Sequence, residues 1–278
     1  MKICLSAESA TDLTKELEER FDIHTVPFTI LLGDNAFLDG KISNEQMFEF
    51  VAKNKTLPKT SAVNEYQFNE HFSALLKNYD AVIHFSMAGK MSCAYQNSVL
   101  ASKNFENVYV VDTKSLSGGI VLVALYAKKL IESGKYLPEQ IVEMCKERLD
   151  NVQVSLILNK LDYLRKGGRC SAISLLGANL LQLHPQIVLS AGKLSPQKKY
   201  RGNFDKCVEN YCKDTLLQFP PSNKEIVFLA YTTLSENAIL TAEKILKDAG
   251  FKEIIKISTG STISSHTGPN AMGILYWK

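Results

Sequence analysis

Four short clusters of hydroxyl-bearing residues are where this chain could do chemistry: "AESATD" (7–12), "PKTSAVN" (58–64), "KMSCAYQNS" (90–98) and "SSHTGP" (264–269). In the last, His266 stands between Ser265 and Thr267, just ahead of Gly268 and Pro269. A histidine flanked by hydroxyls can bind an anion, assist a nucleophile or cap a strand end. Ser, Thr and Asn are also ordinary N-caps, so each cluster has a purely structural use as well. All four fall at expected loops or helix starts. In an open α/β sheet the strand ends face a common crevice where ligands sit, and helix N-termini there favour anions.

Several established chemistries lack their residues. No G-x-S-x-G is present, so the nucleophile elbow of α/β-hydrolases is missing. Each Gly-Lys pair (Gly40, Gly89, Gly134 and Gly192) is followed by Ile, Met, Tyr or Leu, which rules out a P-loop, and there is no G-x-G-x-x-G. The six cysteines are scattered without C-x-x-C, and the five histidines form no H-E-x-x-H, so no metal and no cofactor is expected. A formal charge of +3, with "LRKGGR" and "QKKYR" as the nearest approaches to a basic block, argues against a nucleic-acid partner. The start "MKICLSAESATDL" is too short in apolar residues for a secretory signal, and the run "GGIVLVALYA" is about half a membrane span. The expectation is a cytoplasmic protein with reduced thiols.

The elements that must position the clusters alternate in the α/β manner. "KICLS" reads as a strand and "TDLTKELEERF" as a helix with Leu13, Leu17 and Phe21 on one face; "IHTVPFTILL" reads as a second strand. Ser43 with Gln46, and Asn64 with Gln67, are capping boxes that predict two helices. "AVIHFS" and "VYVVD" are strands around a helix beginning near Ser92, and a long helix is expected from about Ser115 to Ser133. A helix over about 138–149 leads to "VQVSLIL". Beyond it the texture changes, because "QIVLSAGKLSPQKKY" reads as a hairpin turning at Ala191-Gly192. "EIVFLAY", a helix from Ser235 to Ala249, "EIIKIS" and the strand "AMGILYW" close the chain. A boundary near residue 150 gives two domains, 1–150 and 151–278. The loop carrying His266 is expected at a sheet edge.

Seven segments in order resemble the motifs of the DegV family of bacterial fatty-acid-binding proteins: "SAESATDL", "FLDGKIS", "LPKTSAV", "MSCAYQNS", "VVDTKSLSGG", "LDYLRKGGR" and "HTGPNAMG". The resemblance implies an N-terminal doubly wound, mainly parallel sheet and a C-terminal mixed α/β domain with antiparallel strands, with a ligand tunnel between them. It implies a carrier, not an enzyme: one long-chain fatty acid is held and its carboxylate is presented to a separate fatty acid kinase subunit that makes an acyl phosphate for phospholipid synthesis. A transient contact with a membrane surface fits such a carrier. Carried over by position, Thr60, Ser61, Ser92 and His266 would bind the carboxylate. Ser9, Cys93, Arg169, Arg201 and Gly268 would make secondary contacts with ligand or partner, the two arginines near the mouth and Gly268 where the backbone passes the ligand. Three departures stand out: Glu8 for the family's Asp, Cys93-Ala94 for its Gly-Thr, and Asn270 for a Gly. The competing readings are a hydrolase or transferase using His266 with Ser92 or Ser265, and a binder of another amphipath such as a sterol or lysolipid.

Overall fold

The computed structural model describes residues 1–172 and 183–278. The chain begins with β1 (Ile3–Glu8), a 3-10 turn (Ser9–Thr11), α1 (Lys15–Phe21), β2 (Ile23–Val26), β3 (Thr29–Leu32), β4 (Asn35–Leu38), α2 (Asn44–Asn54) and β5 (Lys59–Ser61). Next come α3 (Glu65–Leu75), β6 (Ala81–Ser86), α4 (Ala94–Ser102), β7 (Val108–Asp112), α5 (Gly118–Glu132) and α6 (Pro138–Lys146). The rest holds β8 (Val152–Leu158), α7 (Asp162–Gly167), β9 (Leu183–Ser190), β10 (Lys193–Arg201), α8 (Phe204–Gln218), β11 (Ile226–Tyr231), α9 (Glu236–Asp248), β12 (Glu253–Ser258), α10 (Ser261–Thr267) and β13 (Ala271–Trp277).

These strands make three sheets. A parallel sheet runs β2-β1-β6-β7, a small antiparallel sheet runs β4-β3-β5, and a mixed sheet runs β10-β9-β8-β13-β11-β12 with only β11 and β12 parallel. Every strand of the first two precedes residue 113, and every described strand of the third follows residue 151. Between the parallel and mixed sheets lies α5, touching β1 and β6 on one side and β8, β11 and β13 on the other. That position explains its sequence. A helix covered on two faces has no need of a polar stripe, and Ile120 to Ala124 are all fully buried. The main apolar cluster accordingly runs through both sheets, while a second cluster under α8 and α9 covers the far face of the mixed sheet.

Local signals held where they were local. Both capping boxes form, at Ser43 and Asn64. The β9-β10 hairpin turns at Ala191 and Gly192 with φ of 47° and 76°, the left-handed pair that a two-residue hairpin needs. Three expectations are corrected. "IHTVPFTILL" is two strands, because Pro27 lacks the N–H to continue a ladder; β2 joins the parallel sheet and β3 the small one. The segment holding His266 is helix α10, not an edge loop. Its neighbour β13 is central in the mixed sheet. The long helix starts at Gly118, since Ser117 takes φ 52°.

Candidate functional site

A cavity of about 320 Å³ opens between the parallel and mixed sheets. Phe28, Met87, Leu116, Leu156, Ile263 and Leu275 give it apolar walls. Thr60, Ser61, Ser92, Cys93, Arg169 and His266 also line it; Thr60 bonds His266, and Arg169 reaches the Met91 carbonyl next to Ser92. Sequence segments as distant as β5, the start of α4, the end of α7 and α10 therefore meet there.

His266 is the centre of that group. Its Nε2 lies 3.0 Å from Thr60 Oγ1, while Nδ1 has no hydrogen-bond partner among the described residues. Burial, and secondly the Arg169 charge, lower its pKa from 6.5 to about 4, so the ring is neutral at ordinary pH. "KGGR" shapes its surroundings. A Cβ on Gly167 would stand 2.5 Å from His266 Nδ1, so only glycine lets the ring lie against the chain there. Gly168 at φ 71° ends α7 in the left-handed conformation. Arg169 then turns back, donating from Nη1 to the Gly167 carbonyl at 2.7 Å and from Nε to the Met91 carbonyl at 3.3 Å, beside Ser92.

Ser92 is held by the helix it precedes. Its hydroxyl oxygen accepts the Ala94 N–H at 3.2 Å, which leaves the hydroxyl hydrogen free to donate elsewhere. Cys93 is exposed, a free thiol at the rim.

The remaining motif residues serve α10 from behind. Asp12 Oδ1 accepts the Gly260 N–H at 2.8 Å, and Asp39 Oδ1 accepts the Thr262 N–H at 3.3 Å. Two carboxylates from distant loops thus meet the orphan N–H groups at the start of the helix whose last turn carries His266. Asn44 Nδ2 donates to the Thr259 carbonyl at 2.7 Å, and Ser261 Oγ to that of Ile42 at 2.8 Å, tying the same turn to α2. Sequence reasoning missed these clamps. Their acids stand in two of the motif segments, "SAESATDL" and "FLDGKIS", but nothing local shows which N–H groups they meet.

Five residues weighed in the sequence are placed by the structure as follows. Ser9 does not line the cavity: it donates to Asp39 Oδ2 at 2.8 Å and accepts the Phe28 N–H, so it orients a clamp. Glu8 turns away from Ser9 and is fully buried, accepting from Ser86 Oγ and the Met87 N–H. Gly268 makes its close approach to a side chain instead of the cavity, since a Cβ there would lie 2.6 Å from the Tyr163 ring. Arg201 is exposed and does not line the cavity. It stands seven residues along β10 from Leu194, which does, a path of roughly 20 Å at strand rise. Ser265 is excluded as a partner for His266, because its hydroxyl donates to the Ser261 carbonyl at 2.7 Å on the buried side of the helix.

Among the described residues no group of His, Cys, Asp and Glu could hold a metal ion, and no helix is long and apolar enough to cross a membrane.

An α/β fold of two sheets around an apolar cavity with polar residues in its wall is a fold class with solved relatives. The DegV family profile, described as "Uncharacterised protein, DegV family", matches residues 2–278, and the chain belongs to that family. It is 27% identical to a fatty acid-binding protein of Thermotoga maritima, over 98% of this chain and 96% of that one. Its fold superposes on a fatty-acid-binding DegV family protein of Thermus thermophilus with a TM-score of 0.91 and 26% identity, covering 100% of both chains. It also matches, at TM-score 0.84 and 20% identity over 100% and 99% of the chains, the Streptococcus pneumoniae Fatty Acid Kinase B3 protein loaded with linoleic acid.

Proposed function

We propose that this chain binds one long-chain fatty acid, with the tail along the cavity and the carboxylate at Thr60, Ser61, Ser92 and His266, and presents that carboxylate to a separate kinase subunit. The observation that carries this is the cavity itself: apolar walls that also carry the hydroxyls of Thr60, Ser61 and Ser92, one neutral imidazole and one arginine. The fatty-acid-binding relatives from Thermotoga and Thermus support the ligand class.

The division of labour follows from energetics. Each buried methylene contributes about 0.8 kcal/mol, so roughly fourteen of them offer on the order of 11 kcal/mol gross. Ordering the chain offsets part of that. The tail thus supplies affinity, and the head-group residues supply orientation. A buried carboxylate needs donors. Ser92 has its hydrogen free. Thr60 is set by His266: with Nδ1 against Gly167 and unpartnered, the proton is assigned to Nε2, which donates to Thr60 Oγ1 and leaves the Thr60 hydrogen for the ligand. Arg169 adds positive charge, with Nε and Nη1 each donating to a backbone carbonyl. A carboxylate so held is oriented yet open to attack a phosphoryl group of a partner's ATP.

Phosphoryl transfer to the bound acid by a fatty acid kinase subunit tests this role. Ser92→Ala and Thr60→Ala should slow transfer by roughly tenfold each while the protein keeps its lipid. If either variant loses the lipid outright, the head group and not the tail carries affinity.

A further inference from the structure

The head-group residues come from two arms, Ser92 at the start of α4 and His266 at the end of α10, and one dipeptide stands behind both. Glu8 closes β1 and Ser9 follows it. Ser9 serves the α10 arm: it donates to Asp39 Oδ2 at 2.8 Å, and Asp39 Oδ1 accepts the Thr262 N–H. Glu8 serves the other. Its Oε1 accepts the Ser86 hydroxyl, and its Oε2 accepts the Met87 N–H at 3.0 Å. Ser86 ends β6, Met87 lines the cavity, and the chain runs on directly to Ser92. That stretch is braced within itself and toward β7. Met91 N–H donates to the Ala88 carbonyl, Ala88 N–H to that of Ser115, and Gly89 N–H to Asp112 Oδ1. Glu8 is the side chain that joins it to the end of β1, and so to Ser9 and α10.

A buried carboxylate is a costly way to make that join. β1 and β6 are neighbouring parallel strands, a setting whose covered faces are ordinarily apolar. Ser6, Glu8, His84 and Ser86 are nevertheless each 0% exposed. An ionised carboxylate only accepts hydrogen bonds, and both Glu8 oxygens are used as acceptors. His84 faces the group, with Nε2 lying 3.4 Å from Oε1 without hydrogen-bond geometry. His84 Nδ1 is in turn 3.0 Å from Ser6 Oγ, which is 2.8 Å from His71 Nε2. Replacing buried charged groups by apolar side chains of similar volume is often neutral or stabilising. Stability alone therefore gives no reason for a glutamate here. Two acceptor oxygens aimed at the turn before Ser92 do give one.

We infer that Glu8 is a positioning residue for the ligand's head group: from the point on β1 that also orients α10, it fixes the turn that carries Met87 into the cavity wall and Ser92 to the carboxylate. This rests on the fatty-acid reading above and deepens it.

Nuclear magnetic resonance of bound palmitate labelled with carbon-13 at its carboxyl tests it, with native mass spectrometry counting the palmitate retained. The unaltered protein should give one sharp carboxyl resonance. Glu8→Met, similar in length but without an acceptor, should keep its fold and its palmitate while the single resonance gives way to several. Glu8→Gln, which returns an acceptor to the Met87 N–H, should restore the single resonance, a rescue that a space-filling role does not predict. A single unchanged resonance in Glu8→Met, several resonances in Glu8→Gln as well, or loss of the palmitate from a folded Glu8→Met protein would each overturn the inference and leave fatty-acid binding standing. Should Glu8→Met not fold, Ser86→Ala decides in its place, several resonances supporting the inference and one unchanged resonance overturning it. Failure of the unaltered protein to retain palmitate overturns fatty-acid binding, and the inference with it.

Discussion

The two ends of α10 are built on opposite plans. At its start, two backbone donors are met by side chains from distant loops, Gly260 by Asp12 and Thr262 by Asp39, with Asn44 and Ser261 pinning the turn to α2. At its end, His266 makes one side-chain contact, to Thr60, and leaves its other nitrogen unpaired against Gly167. One end is clamped and the other is held ready. A short helix of seven residues cannot stay put on its own propensity, so the clamped start is what lets an under-bonded imidazole keep its place at the end.

Breaking the clamp should have the largest effect. Asp39→Ala strands the Thr262 N–H and the Ser9 hydroxyl together, and a loss of about 2–4 kcal/mol in unfolding free energy is expected from one buried and one half-buried group left without a partner. Urea denaturation measures it. A loss below about 0.5 kcal/mol would mean that α10 is held by packing alone.

Disturbing the open end should cost stability less and presentation more. Gly167→Ala forces the imidazole off Gly167 and away from Thr60; phosphoryl transfer to bound acid should fall on the order of a hundredfold, as misplacement by an ångström does. Lipid retention should survive. Equal loss of both would show that His266 anchors the ligand instead of orienting its head.

Next in size is a pH effect. In the ligand-free protein the His266 pKa is lowered from 6.5 to about 4. The unfolded chain therefore takes up this proton first, and stability that is full above pH 6.5 declines as pH falls toward 4. The share of His266 is about 3 kcal/mol. His71, lowered to about 3 by burial first and the neighbouring His84 second, adds a similar decline. His266→Gln should flatten only its own part of the curve, which denaturation at stepped pH resolves; an unchanged slope would put a charged imidazole in the folded site.

Arg201→Ala should give the smallest effect. Exposed at the far end of β10, Arg201 should leave lipid binding and stability within about 0.5 kcal/mol of the unaltered protein. A large loss of bound lipid in that variant would place the cavity's reach much farther along the hairpin.

The same contrast marks what was legible in the amino-acid sequence. The capping boxes at Ser43 and Asn64, the turn at Ala191-Gly192 and the alternation of strands and helices are written in neighbouring residues, and they were readable. Thr60, Ser92 and His266 were found through motif resemblance, and the cavity brings them together. The clamps were not readable, because Asp12 and Gly260 lie 248 residues apart and only the fold joins them. Nor was the helicity of "STISSHT", a stretch of hydroxyl residues with weak helix preference that forms a helix because its N–H groups are met from two other loops. Pro27 did not stop "IHTVPFTILL" from reading as one strand, and the small sheet that β3 forms with β4 and β5 depends on pairing between segments with little strand character of their own.

Native mass spectrometry of the protein as purified, followed by denaturation and identification of what is released, tests the central claim most directly. The account predicts a stoichiometric long-chain fatty acid, bound one to one. A protein that carries nothing, and whose mass is unchanged after incubation with fatty acids, would contradict it.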